Sequence, residues 1–289
     1  MRNRIGKLAA AAVAALAVNG AWASGPLTNF TGLWWNPDES GWGLGVDHQG
    51  DIIFGTVFTY DKDGTPTWYV MSRMEKEPLN PFRGPVDNYM GDVYRAKAID
   101  SDRTSMFARE VDVSDVGDAV LSFQSELGNV FAYSVGDANV YKNISQLVFG
   151  EAPAVCGADM IPGDSPNYQG LWVNSPIGSE RWGFYIAHQG DTIFGVTFAY
   201  DTDSNPRWNS MALVKNEAGA YVGDVVRSTG PAYDTRFDAA AVTREVVGSA
   251  MLSFSEDGTG AFAATVSGDA QPVKSITRLQ FSESKTVCR

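Results

Sequence analysis

Alternation with a period of two runs through this chain from about residue 30 onward. Trp42, Leu44, Val46 and His48 fall on one side of a run whose other side is Gly43, Gly45 and Asp47, as successive side chains of a strand do. Such runs are short, are bounded by Gly, Asp, Asn and Pro, and alternate with no helical stretch of any length, which predicts an antiparallel all-β fold. In the first half eight strands are expected, centred on 32–36, 42–48, 51–60, 67–73, 89–96, 119–125, 130–135 and 143–149. Gln49-Gly50 marks a tight hairpin where Gly accepts positive φ. Asp61-Lys62-Asp63-Gly64 marks the next turn, built from residues that turns favour. Sequential hairpins favour a meander, and eight strands can close into an up-and-down barrel with no free edge.

The pattern then repeats. GLWWNPDESGWGLGVDHQGDIIFGTVFTYDKDGTPTW, from Gly32 to Trp68, returns as GLWVNSPIGSERWGFYIAHQGDTIFGVTFAYDTDSNPRW, from Gly170 to Trp208, and ISQLVF ending at Phe149 returns as ITRLQF ending at Phe281. A period of about 140 residues is the size of a domain, not of a solenoid repeat. Gly150 to Pro166, with three prolines and three glycines, reads as a linker. The expected organisation is two tandem homologous barrel-like domains, 29–149 and 167–281, joined by 150–166 and followed by a tail, 282–289.

Faces follow from the alternation. Trp42, Leu44, Val46 and His48, like Trp182, Phe184, Ile186 and His188, are expected to point inward. Phe54, Phe58 and Tyr60, repeated as Phe194, Phe198 and Tyr200, share a face of the next strand and are expected to line the same aromatic interior. Glycines opposite them, Gly55 and Gly195 among them, suggest bends or bulges.

The N-terminus carries Arg2, Arg4 and Lys7, an apolar run Leu8 to Val18, and Ala21-Trp22-Ala23, the charges, core and small-residue site of a secretory signal. An apolar run of about 11 residues is too short to span a bilayer, so residues 1–23 are expected to be removed, with no membrane insertion afterwards. The product is then periplasmic or extracellular. Export makes a disulfide between the two cysteines, Cys156 and Cys288, the natural reading, clipping the ends of the second repeat. The net charge of −12 becomes more negative once the three leader cations leave, an imbalance that repels nucleic acid and anionic membranes.

The segment GLWWNPDESGWG…HQGDIIFGTVFTYDKDGTPTWYVM resembles a repeat of uncharacterised exported bacterial proteins, over both domains to the closing SITRLQF. That resemblance implies export and an all-β module and assigns no activity. The openings Gly32-Leu33-Trp34 and Gly170-Leu171-Trp172 are similar to the Gly-x-Trp start of calycin-type barrels, the lipocalins and avidins among them. In those the Trp packs under a basic residue of the last strand. Arg278 stands at that place in the second domain and Gln146 in the first.

Chemistry-bearing motifs are sparse. There is no nucleophile elbow, zinc-protease helix, phosphate loop or dinucleotide fingerprint, and no cofactor or metal is implied. His48 and His188, the only histidines, read either as a base, switch or ligand, or as rim histidines bonded to the turn. Asp38, Glu39, Asp47 and Asp51 read as solvated turn carboxylates or as the acid–base groups of a hydrolase. Arg95 and Arg227 read as an anion site or as partners of Asp92 and Asp224. The aromatics with polar handles, Trp35, Trp42, Trp68, Tyr69, Trp182 and Trp208, are the candidate ligand surface together with the two histidines. Trp35 and Tyr69 lead, because the second copy has Val173 and Asn209 in their place. The leading expectation is therefore an exported, non-enzymatic binding protein for a small or extended ligand: a sugar, an aromatic or a lipid. The alternatives are a hydrolase using Glu39 or Asp51 with His48, and a structural or surface-interaction module with no pocket. Nothing in the sequence sets the oligomeric state.

Overall fold

The computed structural model describes residues 29–78, 86–99, 107–125, 128–150, 153–158, 166–283 and 285–289; the expected leader lies outside them. The first repeat forms β1 (Gly32–Trp35), β2 (Gly43–Gln49), β3 (Ile52–Tyr60), β4 (Pro66–Lys76), β5 (Asp87–Ala98), β6 (Val111–Ser125), β7 (Gly128–Val135) and β8 (Ala138–Gln146). Each strand pairs antiparallel with the next, and Trp34 opposite Gln146 closes β8 onto β1. This is the up-and-down barrel that the hairpin pattern implies. Gly50, at φ 64°, makes the two-residue turn that joins Gln49 to Ile52, a conformation that costs glycine least.

β9 (Cys156–Ala158) lies between the repeats. The second repeat forms β10 (Gly170–Asn174), β11 (Gly183–Gln189), β12 (Thr192–Tyr200), β13 (Pro206–Lys215), β14 (Tyr221–Thr229), β15 (Thr243–Phe254), β16 (Thr259–Val266), the two-residue β17 (Asp269–Ala270) and β18 (Lys274–Arg278). β15 pairs with β16, β16 with β18 and β18 with β10, so this sheet also returns on itself. β19 (Thr286–Cys288) pairs with β9, and Cys156 and Cys288 form a disulfide across that pair. The clip touches both barrels: Thr286 Oγ1 donates to His48 O at 2.6 Å and Gln169 Nε2 donates to Cys156 Sγ at 3.4 Å. It therefore fastens the two repeats together, where a staple on the second alone was expected.

Several strands start earlier than the alternation implied, β6 and β8 by the most. β6 begins at Val111, in a charged stretch (Val111-Asp112-Val113-Ser114-Asp115) with no inner apolar row to betray it, and β8 begins directly after the Gly136 turn.

The interiors are filled. Trp42, Leu44 and Val46 point inward with Trp34, Val57, Tyr69 and Phe123 in one cluster, and Trp182, Phe184 and Ile186 do so in the other barrel with Trp172 and Phe262. The second aromatic row does not point inward. Phe58 and Tyr60, with Phe198 and Tyr200, form a third cluster together with Trp68 and Trp208, and Phe54 and Phe194 pack against it. The reason is the pleat: Ile53 and Val57 take the inner face of β3, so the even-numbered residues face outward. These rings are outside both barrels and hold the two together. Face-sharing along one strand did not carry across the hairpin to its neighbour.

Candidate functional site

The surface between the barrels is built from the residues that the two copies share. Trp68 Nε1 donates to Ala199 O at 3.0 Å, and Trp208 Nε1 to Thr59 O at 2.8 Å. Gln49 Nε2 donates to Leu279 O at 2.8 Å while its Oε1 accepts from Phe281 N at 3.1 Å. Gln189 does the same with Leu147 O at 2.9 Å and Phe149 N at 2.9 Å. Contacts in such reciprocal pairs are those of an isologous, approximately twofold interface within one chain. The barrels also exchange segments. Phe107, from the β5–β6 connection, lies 4.6 Å from the Trp182 ring, and Tyr233, from the β14–β15 connection, lies 5.8 Å from Tyr69. Each barrel end is thus capped by the other repeat.

One side of this interface is open. A cleft of about 160 Å³ runs between Trp35, Trp42, Leu147 and Phe149 of the first barrel and the outer face of β12–β14, including Phe194, Trp208 and Val226. Its polar groups are Ser40, Ser210, Asp224, Ser228 and Arg244. On the outer face of the first barrel, strand register places Val70 beside Tyr94 where the second has Ser210 beside Val226, and Ala96 beside Val113 where the second has Ser228 beside Arg244. The copies diverge where the cleft is.

The expected site residues separate accordingly. Trp35, half-buried, lines the cleft with Trp42 and Trp208. Trp68 is spent on the interface. Tyr69 is fully buried in the first barrel, with the Tyr233 ring of the other repeat 5.8 Å away, and its hydroxyl has no protein partner; Asn209, also buried, replaces it in the second barrel. Its difference between the copies therefore reflects packing, not a ligand. Trp182 donates to Glu180 Oε2 at 2.8 Å beneath Phe107.

The histidines are enclosed structural groups. Phe30 N donates to His48 Nδ1 at 3.3 Å, and Tyr89 Oη lies 3.0 Å from Nε2; Tyr168 N and Tyr221 Oη do the same for His188 at 3.1 and 2.9 Å. Because Nδ1 accepts, the neutral ring carries its proton on Nε2 and donates it to the tyrosine. Burial pushes both pKa values down to about 4.

The carboxylates do not gather. Among the described residues no three His, Cys, Asp or Glu side chains are grouped to hold a metal. Asp47 is buried between the barrels, accepting from Leu171 N at 2.8 Å and Gln49 Nε2 at 3.0 Å, and desolvation raises its pKa against those bonds. Glu39 pairs with Lys142 at 2.7 Å and accepts from Trp42 Nε1 at 3.0 Å. Glu180, Lys274 and Trp182 repeat that group, and Lys142 and Lys274 lie over the Phe237 and Phe107 rings of the exchanged segments. Sequence reasoning missed the two lysines, although they stand at matching places in YKNISQ and VKSITR. Arg95 pairs with Asp61 at 2.7 Å, not with Asp92, which accepts from Tyr94 Oη at 2.9 Å. Arg227 donates to Ser267 Oγ at 3.3 Å.

Comparison with protein-family models, with curated proteins and with solved structures finds no match.

Proposed function

We propose that the protein is an exported, non-enzymatic binding protein whose ligand lies in the cleft between the two barrels. The observation that supports this is the coincidence of an apolar, aromatic-walled opening with the positions at which the repeats differ: Trp35 against Val173, Ser210 and Ser228 against Val70 and Ala96. An interface held by twofold-related contacts has no need of such differences. Aromatic walls with few polar groups suit an aromatic or lipid-like ligand better than a sugar, which would need hydrogen-bond partners along its whole length. The disulfide and the leader-like N-terminus support export. Among the described residues no helix is long and apolar enough to cross a membrane.

The filled barrel interiors favour the rival reading of an interaction module without a ligand. A hydrolase is less well supported. Glu39 lies in the turn of 3-10 helix before β2 and His48 near the far end of that strand, and each is already bonded. The test is titration with the neutral fluorescent probe phenylnaphthylamine. Saturable binding is expected, weakened by Trp35→Ala by about 1–3 kcal/mol, as loss of an aromatic anchor costs, with the fold intact. Binding that survives Trp35→Ala unchanged removes the cleft from consideration.

A further inference from the structure

The walls of the cleft are mostly aromatic and apolar, with Ser210 opposite Val226 between its ends, and the two ends differ in charge. Along β14, Ser228 and Asp224 are four residues apart, about 13 Å. Arg244 stands opposite Ser228 in the strand register and donates to Ser40 O and Oγ at 3.4 and 3.3 Å. These are long contacts to neutral groups, and among the described residues no carboxylate is paired with this guanidinium. At the other end the only charge is the Asp224 carboxylate. Between them lie Trp35, Trp208 and Val226.

Resting on the cleft as the ligand site, we propose that it binds a single-chain amphiphilic carboxylate. The head group is taken by Arg244 with the Ser40 hydroxyl, and the apolar chain lies along Trp35 and Val226 toward Asp224. Arg244 supplies the charge and the paired donors that a carboxylate accepts. Asp224 repels the head from the far end, which fixes the direction of binding. The first barrel has Val113 and Ala96 at the corresponding register positions, so the fold itself does not call for a cation and a hydroxyl there. In a chain of net charge −12, an arginine free of acidic partners beside an apolar cleft is a specific local reversal of sign.

The test is calorimetric titration of the full chain with decanoate and with decanol, which differ in the head group. Decanoate is expected to bind about tenfold more tightly, the size of one charge-assisted contact. Arg244→Gln should bring decanoate down to the affinity of decanol and leave decanol unchanged, while Trp35→Ala weakens both. Equal affinities in the unaltered protein, or a decanoate preference that survives Arg244→Gln, overturns the head-group assignment. If neither ligand binds while phenylnaphthylamine still does, the amphiphile is wrong and the cleft stands. If no probe binds, both fall.

Discussion

Acid should unfold this protein through its two histidines, well above the pH at which ordinary carboxylates titrate. His48 and His188 are 5% and 6% exposed, held neutral by a backbone N–H on Nδ1 and a tyrosine on Nε2, and burial lowers their pKa values to about 4. Unfolded, each imidazole takes up a proton near the ordinary histidine value of 6.5. Between those values the unfolded chain binds more protons than the folded one, so stability must fall as pH falls. The slope is about 1.2 kcal/mol per pH unit for each histidine in mid-window, amounting to about 2 kcal/mol apiece between neutral pH and pH 5. Asp47 acts with the opposite sign: its raised folded pKa means that the folded state gains protons first on acidification. The difference between the parent and His48→Gln therefore isolates the histidine, since glutamine can accept from Phe30 N, donate to Tyr89 and does not titrate. Urea unfolding at several pH values between about 5 and 7.5 gives the two slopes. The variant should be shallower, by about 1.2 kcal/mol per pH unit near pH 5 and by progressively less toward neutrality. Parallel curves would refute the account, because they would mean that His48 binds its proton equally well in both states.

Four further substitutions separate interface, packing and turn effects. Gln49→Ala removes the donor to Leu279 O and Asp47 Oδ1 and the acceptor for Phe281 N, leaving part-buried groups unpaired; it should cost about 2–3 kcal/mol in urea unfolding, and Gln189→Ala should cost less, because the second repeat has Ala187 where Asp47 stands in the first. Tyr69→Phe deletes a buried hydroxyl without a protein partner and should be neutral or stabilising by up to about 1 kcal/mol by thermal melting; a large loss would show that the hydroxyl is bonded to something essential. Ser204 holds φ at 69° where the first repeat has Gly64 at 79°, so Ser204→Gly should raise stability by about 0.5–1 kcal/mol.

The strands and their closure were legible because the barrel meander is local: each hairpin is announced by its own turn residues, and each strand by its own alternation. The relation between the barrels was not. Phe54, Phe58 and Tyr60 alternate as an inward row would, and nothing within a strand says on which side of the sheet the other barrel lies. Asp47 looked like a solvated turn carboxylate because the backbone N–H that buries it, Leu171, is 124 residues away. Trp35 and Tyr69 were singled out by the same difference between copies. Trp35 lies in the cleft because its strand faces outward there. Tyr69, one residue from Trp68 along β4, faces the opposite side and meets a segment of the other repeat.

A twofold interface inside a duplicated chain changes what identity between the copies means. In two independent domains, shared residues would mark each domain's own interior. Here a shared residue has two reasons to persist, since Gln49, Phe58 and Trp68 must match Gln189, Phe198 and Trp208 for both halves of the contact to form. Replacing one member leaves its partner's bond intact and its own partner group orphaned, so drift at such positions is costly in either copy. Where paired positions differ in chemical class, as Trp35 and Val173, Ser228 and Ala96, or Arg244 and Val113 do, the difference breaks the symmetry in one place. It is there that the cleft opens, on one side of an otherwise reciprocal joint. A symmetric pair of barrels would offer two equivalent clefts or none; here the residues that bound the cleft include those at which the two halves differ.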